Sequence, residues 1–449
     1  MLRDRLVDLE RRGKPIKVGI IGAGRFGTQV LCQISAMAGM RPSVVADVRQ
    51  DRGMAAFQLS GHSPADVVVT NRVSEMNVAL ERGQPVFTED GLALAASNVD
   101  VVVEATGIPQ VGARFAMESI LQGKHLVMVN VETDVLVGPL LKRMADRAGV
   151  VYSLAYGDQP ALIHELYDWA TALGFQVVAA GKGTKYLPEY RKSTPDTVWG
   201  YYGHSPEEAL RGRMNPKMYN SFLDGTKSAV EMVAVANMTG LRPDVRGMHF
   251  PPAGVADLPN LLKPREHGGI LEHSGVVEVV SSLHRDGTPV SQDLRWGVYV
   301  VVTSEQPFVR QALPDYGVPV DSTGRYAAFH RPFHLVGMET PVSIARAVLD
   351  HAHTGAPIGP PVASVVAVAK RDLKAGETLD GEGGYMVYGM IEDASKAQQE
   401  RLLPIGLAHY PLVRNVEADH SLSLGDIAPP PDDFTFTLWK LQGTLLPPV

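Results

Sequence analysis

The stretch Lys17–Gly39, KVGIIGAGRFGTQVLCQISAMAG, decides the fold. Its apolar residues through Ile21 read as a short buried strand, and the run after Gly27 has helical spacing. Between them Gly22, Gly24 and Gly27 make a G-x-G-x-x-G turn with Arg25 and Phe26 inside it. The first glycine permits the tight turn and the second lets a pyrophosphate approach the backbone. The third lets helix and strand pack closely, while the helix N-terminus offers N–H donors and positive dipole. A second apolar segment, SVVADV, ends near Asp47, 20 residues after Gly27, where a carboxylate meets the adenosine ribose. Strand, glycines, helix, strand and acid together predict a dinucleotide site. Asp47 suits the free 2′-hydroxyl of NAD, whereas Arg49 and Arg52 suit the 2′-phosphate of NADP or a solvated loop.

Working outward, VDVVVEATG (Val99–Gly107) reads as a parallel strand ending in a small-residue turn, with a helix from about Pro109 to Gln122. HLVMVN and VVYSLA are the next strands. Continuous apolar strands alternating with helices predict a doubly wound parallel sheet of Rossmann type over residues 1–160. Ligands of such sheets bind at the carboxyl ends of the strands. Thr106, Gly107 and Asn130 fall at those ends and join the expected cofactor set. Glu132 and Asp134 follow a strand on the same edge, where the nicotinamide is expected, and capping of the following helix is the competing reading, stronger for Asp134.

The pattern changes after about residue 160. QVVAAGKGTKY reads as a strand releasing Lys182 and Lys185 beside glycines, and Arg191 and Lys192 follow in a polar loop. Point charges, a guanidinium and small residues are what a phosphate group needs, although a solvated basic loop is the plainer reading of Arg191 and Lys192. NSFLDGTKSAVEMVAVANMTG reads as one helix with Asp224, Lys227 and Glu231 along a single polar edge. His249, His267, His273, His284, His330 and His334 show no metal-ligand spacing, and HRPFH carries a proline between its histidines. TGAPIGPP is a linker by composition, so a β-rich module is expected over 360–449 after a substrate domain over 161–355 whose last helix packs back on the first domain.

The totals exclude several classes. A net charge of −7 without like-charge blocks argues against nucleic acid or an anionic membrane as partner. One cysteine, Cys32, rules out a disulfide framework. The opening MLRDRLVDLERRGK lacks the apolar core of a signal peptide, and no apolar run reaches the ~20 residues that span a bilayer, so a cytoplasmic protein is expected. Apolar helices in the second domain allow a homodimer.

EATG after one strand and VMVN after the next resemble the homoserine dehydrogenase superfamily, with Val131 and Glu132 standing where that superfamily has its catalytic lysine. The chain more closely resembles the DXR-like (DRL) branch, reductases built like homoserine dehydrogenase with a C-terminal SAF domain. The stretches that carry this resemblance are VNVETDVLVGP, GKGTKYLPEYRKSTPDTVWGYYG, SFLDGTKSAVEM, RPFHLVGMETPVS and AKRDLKAGETLDGEGG. It implies NADPH-dependent conversion of 1-deoxy-D-xylulose 5-phosphate to 2-C-methyl-D-erythritol 4-phosphate, with NADH as a second possible cofactor. In such chemistry a magnesium or manganese ion polarises vicinal oxygens, and Glu132, Asp134 and Glu231 are the expected ligands. Lys182, Lys185, Lys227 and Glu132 are the expected catalytic and phosphate-binding groups. A reductase of another hydroxy-aldehyde or sugar phosphate, without rearrangement, stays open, as does a non-catalytic nucleotide sensor.

Overall fold

The computed structural model describes residues 1–212 and 214–448, and the chain divides into two compact units. The first comprises residues 1–161 and 335–356, and the second residues 162–334 and 357–449.

The first unit is built on seven strands: β1 (Ile16–Ile21), β2 (Met40–Ala46), β3 (Val68–Val69), β4 (Val86–Thr88), β5 (Val101–Glu104), β6 (His125–Met128) and β7 (Tyr152–Leu154). They lie in the order β3-β4-β2-β1-β5-β6-β7, each parallel to its neighbours. Helices lie between consecutive strands, and the strands are largely apolar and buried; β5 and β6 each hold fully buried apolar side chains. The expected doubly wound α/β sheet is present. The helix Thr340–Ala345 returns from far along the sequence and adds Ile344 and Ala345 to the core formed by Val30, Ile34, Val45 and Val103.

One element differs from the reading above. The strand ends at Met128, and a helix runs over Val131–Ala148, so Glu132 and Asp134 belong to its first turn. Asn130 is its N-cap and accepts from the Thr133 N–H. Gly149, in the left-handed region at φ 71°, ends it.

The second unit holds a five-stranded mixed sheet from β8 (Gln176–Thr184), β9 (Arg242–Pro243), β10 (Val276–Ser281), β11 (Val298–Thr303) and β12 (Tyr326–Arg331), in the order β12-β11-β8-β10-β9. Strands β13 (Ala363–Ala369) and β14 (Val387–Asp393) form a separate antiparallel pair, extended by bridges such as Val366 to Pro404 and Val368 to Ser421. The single helix expected over 220–240 is two, Pro216–Leu223 and Thr226–Thr239, broken at Gly225 with φ 89°. Every residue of the second helix except Lys227 is buried. A helix buried all round needs cover on both sides. Here it packs on β8 and β10 on one side and on β13 and β14 on the other. Residues 357–449, which contain the β-rich stretch 360–449, contribute to the core of this unit. Lys370 ties them in: its buried ammonium donates to Asp224 at 2.7 Å and to the Ser193 and Gly384 carbonyls at 2.8 Å each.

Candidate functional site

The glycine turn of the first unit has the shape its spacing requires. Gly22 sits at φ 102°, and a Cβ there would come within 2.7 Å of the Ala105 carbonyl oxygen. A Cβ on Gly27 would lie 1.9 Å from the Gly22 carbonyl oxygen. Gly24, the N-cap of the helix Arg25–Ser35, faces open space, with no atom within 4 Å of where its Cβ would stand. Asp47, just past β2, accepts from the Ala23 N–H at 2.8 Å and the Arg49 N–H at 2.9 Å, which fixes its carboxylate beside the turn. The Arg49 guanidinium is engaged by Asp51 at 2.6 Å. These residues fit a dinucleotide: an open backbone cradle at a helix N-terminus with a positioned acid on the neighbouring strand.

The glycines therefore predict two different phenotypes. Gly24→Ala is expected to weaken dinucleotide binding tenfold or more while costing the apo-protein under about 1 kcal/mol, because the methyl group meets only the ligand's space. Gly27→Ala should lower both affinity and melting temperature, since overpacking costs about 1–3 kcal/mol. Titration with reduced nucleotide and a thermal melt of each variant separate the two effects. Equal melting losses for both would refute the distinction.

At the ends of β5 and β6 lies a network that contains one residue the sequence reading did not single out. Glu104 is the only acid in an otherwise apolar strand and is fully buried. Its Oε1 accepts from the Thr106 N–H at 3.0 Å and from the Thr106 hydroxyl, and Asn130 Nδ2 donates to that hydroxyl at 3.3 Å. Burial pushes the Glu104 carboxyl up to about 7 despite these bonds, with a smaller push from the charge of Glu132. Thr106 and Asn130, expected at the cofactor, are thus joined through a buried acid. The signal was present in the sequence as a lone Glu in VVVE.

The expected acidic metal site does not form. Residues two apart on a helix point to nearly opposite sides, so Glu132 and Asp134 cannot grip one ion together. Asp134 is fully buried and accepts from the Tyr152 hydroxyl at 2.7 Å, and burial raises its carboxyl to about 7. Glu231, the third expected ligand, is committed to Lys182 in the second unit. Among the described residues no three His, Cys, Asp or Glu side chains group as a metal site. The residues present do not fit a divalent ion in the expected way.

In the second unit the lysines have separate environments. Lys182, on β8, forms a close ion pair with Glu231 of the Thr226–Thr239 helix, both side chains almost fully buried. Lys227 precedes Glu231 by one turn on that helix, which makes the two neighbours along one face. Lys185, just beyond β8, donates to the Tyr201 carbonyl and lies 5.6 Å from the centre of the Tyr202 ring. Burial, then the nearby charge of Arg295, lowers its pKa. Asp224, expected on the same polar edge as Lys227 and Glu231, instead caps the preceding helix and pairs with Lys370. Arg191 lies against the Tyr186 and Tyr388 rings, 6.0 Å from each centre. Lys192 is an exposed partner of Asp419 at 3.0 Å.

A second unforeseen group is His249 with Glu278. Met248 and Phe250, on either side of the histidine, both hold left-handed φ angles of 61° and 49°. Such conformations persist only where surrounding contacts over-determine them. Glu278, buried in β10, supplies those contacts, accepting from the His249 N–H at 3.1 Å, the Phe250 N–H at 3.3 Å and His249 Nδ1 at 2.7 Å. The Glu278 hydrogen bond raises the imidazole pKa, acting with its charge and that of Asp244 against burial. Nothing in the local sequence links residues 29 positions apart.

Residues 157–340, under half of the chain, match the family model described as the catalytic domain of the oxidoreductase DRL. The segment so matched carries Lys182, Lys185, Lys227 and Glu231. Similar solved structures include scyllo-inositol dehydrogenase from Lactobacillus casei with bound NAD(H) and scyllo-inositol, at 12% identity and TM-score 0.35, over 65% of this chain and 74% of that one. An oxidoreductase from Agrobacterium radiobacter, in complex with NAD+, L-tartaric acid and magnesium, is 12% identical over 38% of this chain and 44% of that one, with TM-score 0.29. A myo-inositol dehydrogenase from Corynebacterium glutamicum ATCC 13032 is 11% identical over 41% and 49%, with TM-score 0.28. The chain spans about half the length of these last two. No curated protein matches it significantly. No helix among the described residues is long and apolar enough to cross a membrane.

Proposed function

We propose that this protein is an NAD(P)H-dependent reductase of a phosphorylated hydroxycarbonyl compound, and that its reaction is the isomerising reduction of 1-deoxy-D-xylulose 5-phosphate to 2-C-methyl-D-erythritol 4-phosphate. The observation that carries the reading is the buried Lys182–Glu231 pair inside the segment that matches an oxidoreductase catalytic domain. A buried ammonium held in place by a carboxylate is suited to give a proton to a carbonyl oxygen as negative charge develops there.

Gly22, Gly24, Gly27 and Asp47 would hold the nicotinamide dinucleotide, which when bound would supply the hydride. Lys182 donates the proton to the carbonyl oxygen and regains one from solvent after the product leaves, and Glu231 holds its side chain in place. Rearrangement before reduction also requires a hydroxyl proton to be removed, and Lys227, next to Glu231 along the helix, is the group assigned to that step. A reductase without rearrangement is the second reading. It is favoured by one observation: Glu132 and Asp134 point apart and offer no chelating pair for vicinal substrate oxygens.

The test is to mix the full-length protein with 1-deoxy-D-xylulose 5-phosphate and either NADPH or NADH, follow loss of reduced-nicotinamide absorbance, and identify the product by NMR. Oxidation yielding the branched polyol phosphate is expected. A straight-chain product would transfer the assignment to the second reading. No oxidation, with reduced nucleotide still bound, would defeat the proposed substrate.

A further inference from the structure

The environment of Arg295 extends the reading above, on whose substrate class this inference rests. Arg295 follows Leu294 in the loop leading to β11, and that loop lies against β8 because Gly183 has no side chain. A Cβ on Gly183 would stand 2.1 Å from the Leu294 carbonyl oxygen and 2.9 Å from the Arg295 nitrogen. The glycine between Lys182 and Lys185 thus brings a distant arginine to the end of the lysine strand.

Two cations then share one aromatic ring. The Tyr202 ring centre is 5.6 Å from the Lys185 ammonium and 5.8 Å from the Arg295 guanidinium, which also lies 4.9 Å from the Trp296 ring centre. Tyr202 is fixed in turn by edge contact with Tyr219 at 5.5 Å and by packing with Leu187, Tyr190 and Leu223. Among the described residues neither cation has a carboxylate partner in an ion pair. Lys185 donates to a backbone carbonyl, and Asp293 accepts only from the Arg295 backbone N–H, at 2.8 Å. The lowered pKa of Lys185, due to burial and to Arg295, agrees with two uncompensated like charges.

Bringing two like charges together costs free energy that a bound anion recovers. Aromatic faces leave the in-plane N–H groups of a guanidinium available, in the fork geometry that suits phosphate oxygens. We infer that Lys185 and Arg295, mounted on Tyr202, form the site for the phosphate group of the substrate, with Arg295 as the group that sets its affinity. Lys182 has no part in it, because its ammonium is committed to Glu231.

Inorganic phosphate is the probe, titrated calorimetrically into the full-length protein at constant ionic strength, beside Arg295→Met, Arg295→Lys and Lys185→Met. Both cations are partly exposed, so thermal melts of the variants should match the parent. Phosphate binding to the parent is expected, weakened tenfold or more by Arg295→Met and by Lys185→Met, with Arg295→Lys in between. Equal affinity in parent and Arg295→Met, or no binding by the parent, would overturn the assignment. Sugar-phosphate assays keep the two proposals apart. If phosphate binding depends on Arg295 but no sugar phosphate supports nicotinamide oxidation, the anion site stands and the catalytic reading fails. If turnover occurs with a KM that Arg295→Met leaves unchanged, the catalytic reading stands and the site is overturned.

Discussion

A Lys182→Met protein is expected to lose turnover by roughly 10²–10⁴-fold and stability by about 3–5 kcal/mol. The second loss follows from what the substitution leaves behind. Glu231 is almost fully buried, and the substitution removes the ammonium it is paired with while its carboxylate stays out of water. Stability alone would therefore say nothing about chemistry, since a purely structural pair behaves the same way. The double variant Lys182→Met with Glu231→Leu separates the two. Replacing both charges by apolar groups of similar volume is often neutral or stabilising, so the denaturation midpoint should return to that of the parent. Turnover should not return. A double variant that regains both would reduce the pair to a structural tie.

The second large effect is a pH dependence of stability. Burial lifts Glu104 from an ordinary value of 4.5, and Asp134 from 3.8, to about 7 in the folded protein. Between those values the folded state binds more protons than the unfolded chain. Stability therefore falls as pH rises through the window. The contribution is complete below about pH 4 and lost once the pH passes about 7. At about 1.4 kcal/mol per pK unit, the loss is roughly 3 kcal/mol for Glu104 and roughly 4 for Asp134. Glu104→Gln keeps an acceptor for Thr106, and Asp134→Asn keeps one for the Tyr152 hydroxyl, so each should remove its share of the slope. Unfolding of the first unit, followed between pH 5 and pH 8, should be steeper for the parent than for the double variant (at pH 8 the variant is the more stable). Parallel curves would show that these acids are not protonated in the fold.

The sequence makes the first unit legible because its signals are local. Strand, glycine turn, helix and Asp47 follow one another without a long gap, and each step has a steric reason. The misreading at residues 129–134 has a steric reason too. Only Val129 and Asn130 separate strand from helix, so the apolar run hides the change of period and the two acids look like strand-end ligands. The single helix expected around Gly225 fails because Asp224 and Gly225 sit within an otherwise helical pattern. In the second unit the important partnerships are distant: Lys182 with Glu231, His249 with Glu278, Lys185 with Arg295. Composition can nominate the charged members, but only the sheet order states which ones meet. The lone acids in VVVE and VVEVV were the readable hint, since a carboxylate in a fully apolar strand needs a dedicated partner.

The first unit takes the greater part of its residues from 1–161 but completes its core with 335–356. On a ribosome, the seven-stranded sheet would therefore emerge long before the helix that supplies Ile344 and Ala345. Its early form would leave part of the Val30 and Ile34 surface uncovered while some 170 residues of the second unit are still being made. Synthesis rate and chaperone supply should then govern the yield of this protein more than they govern that of a chain whose domains are contiguous.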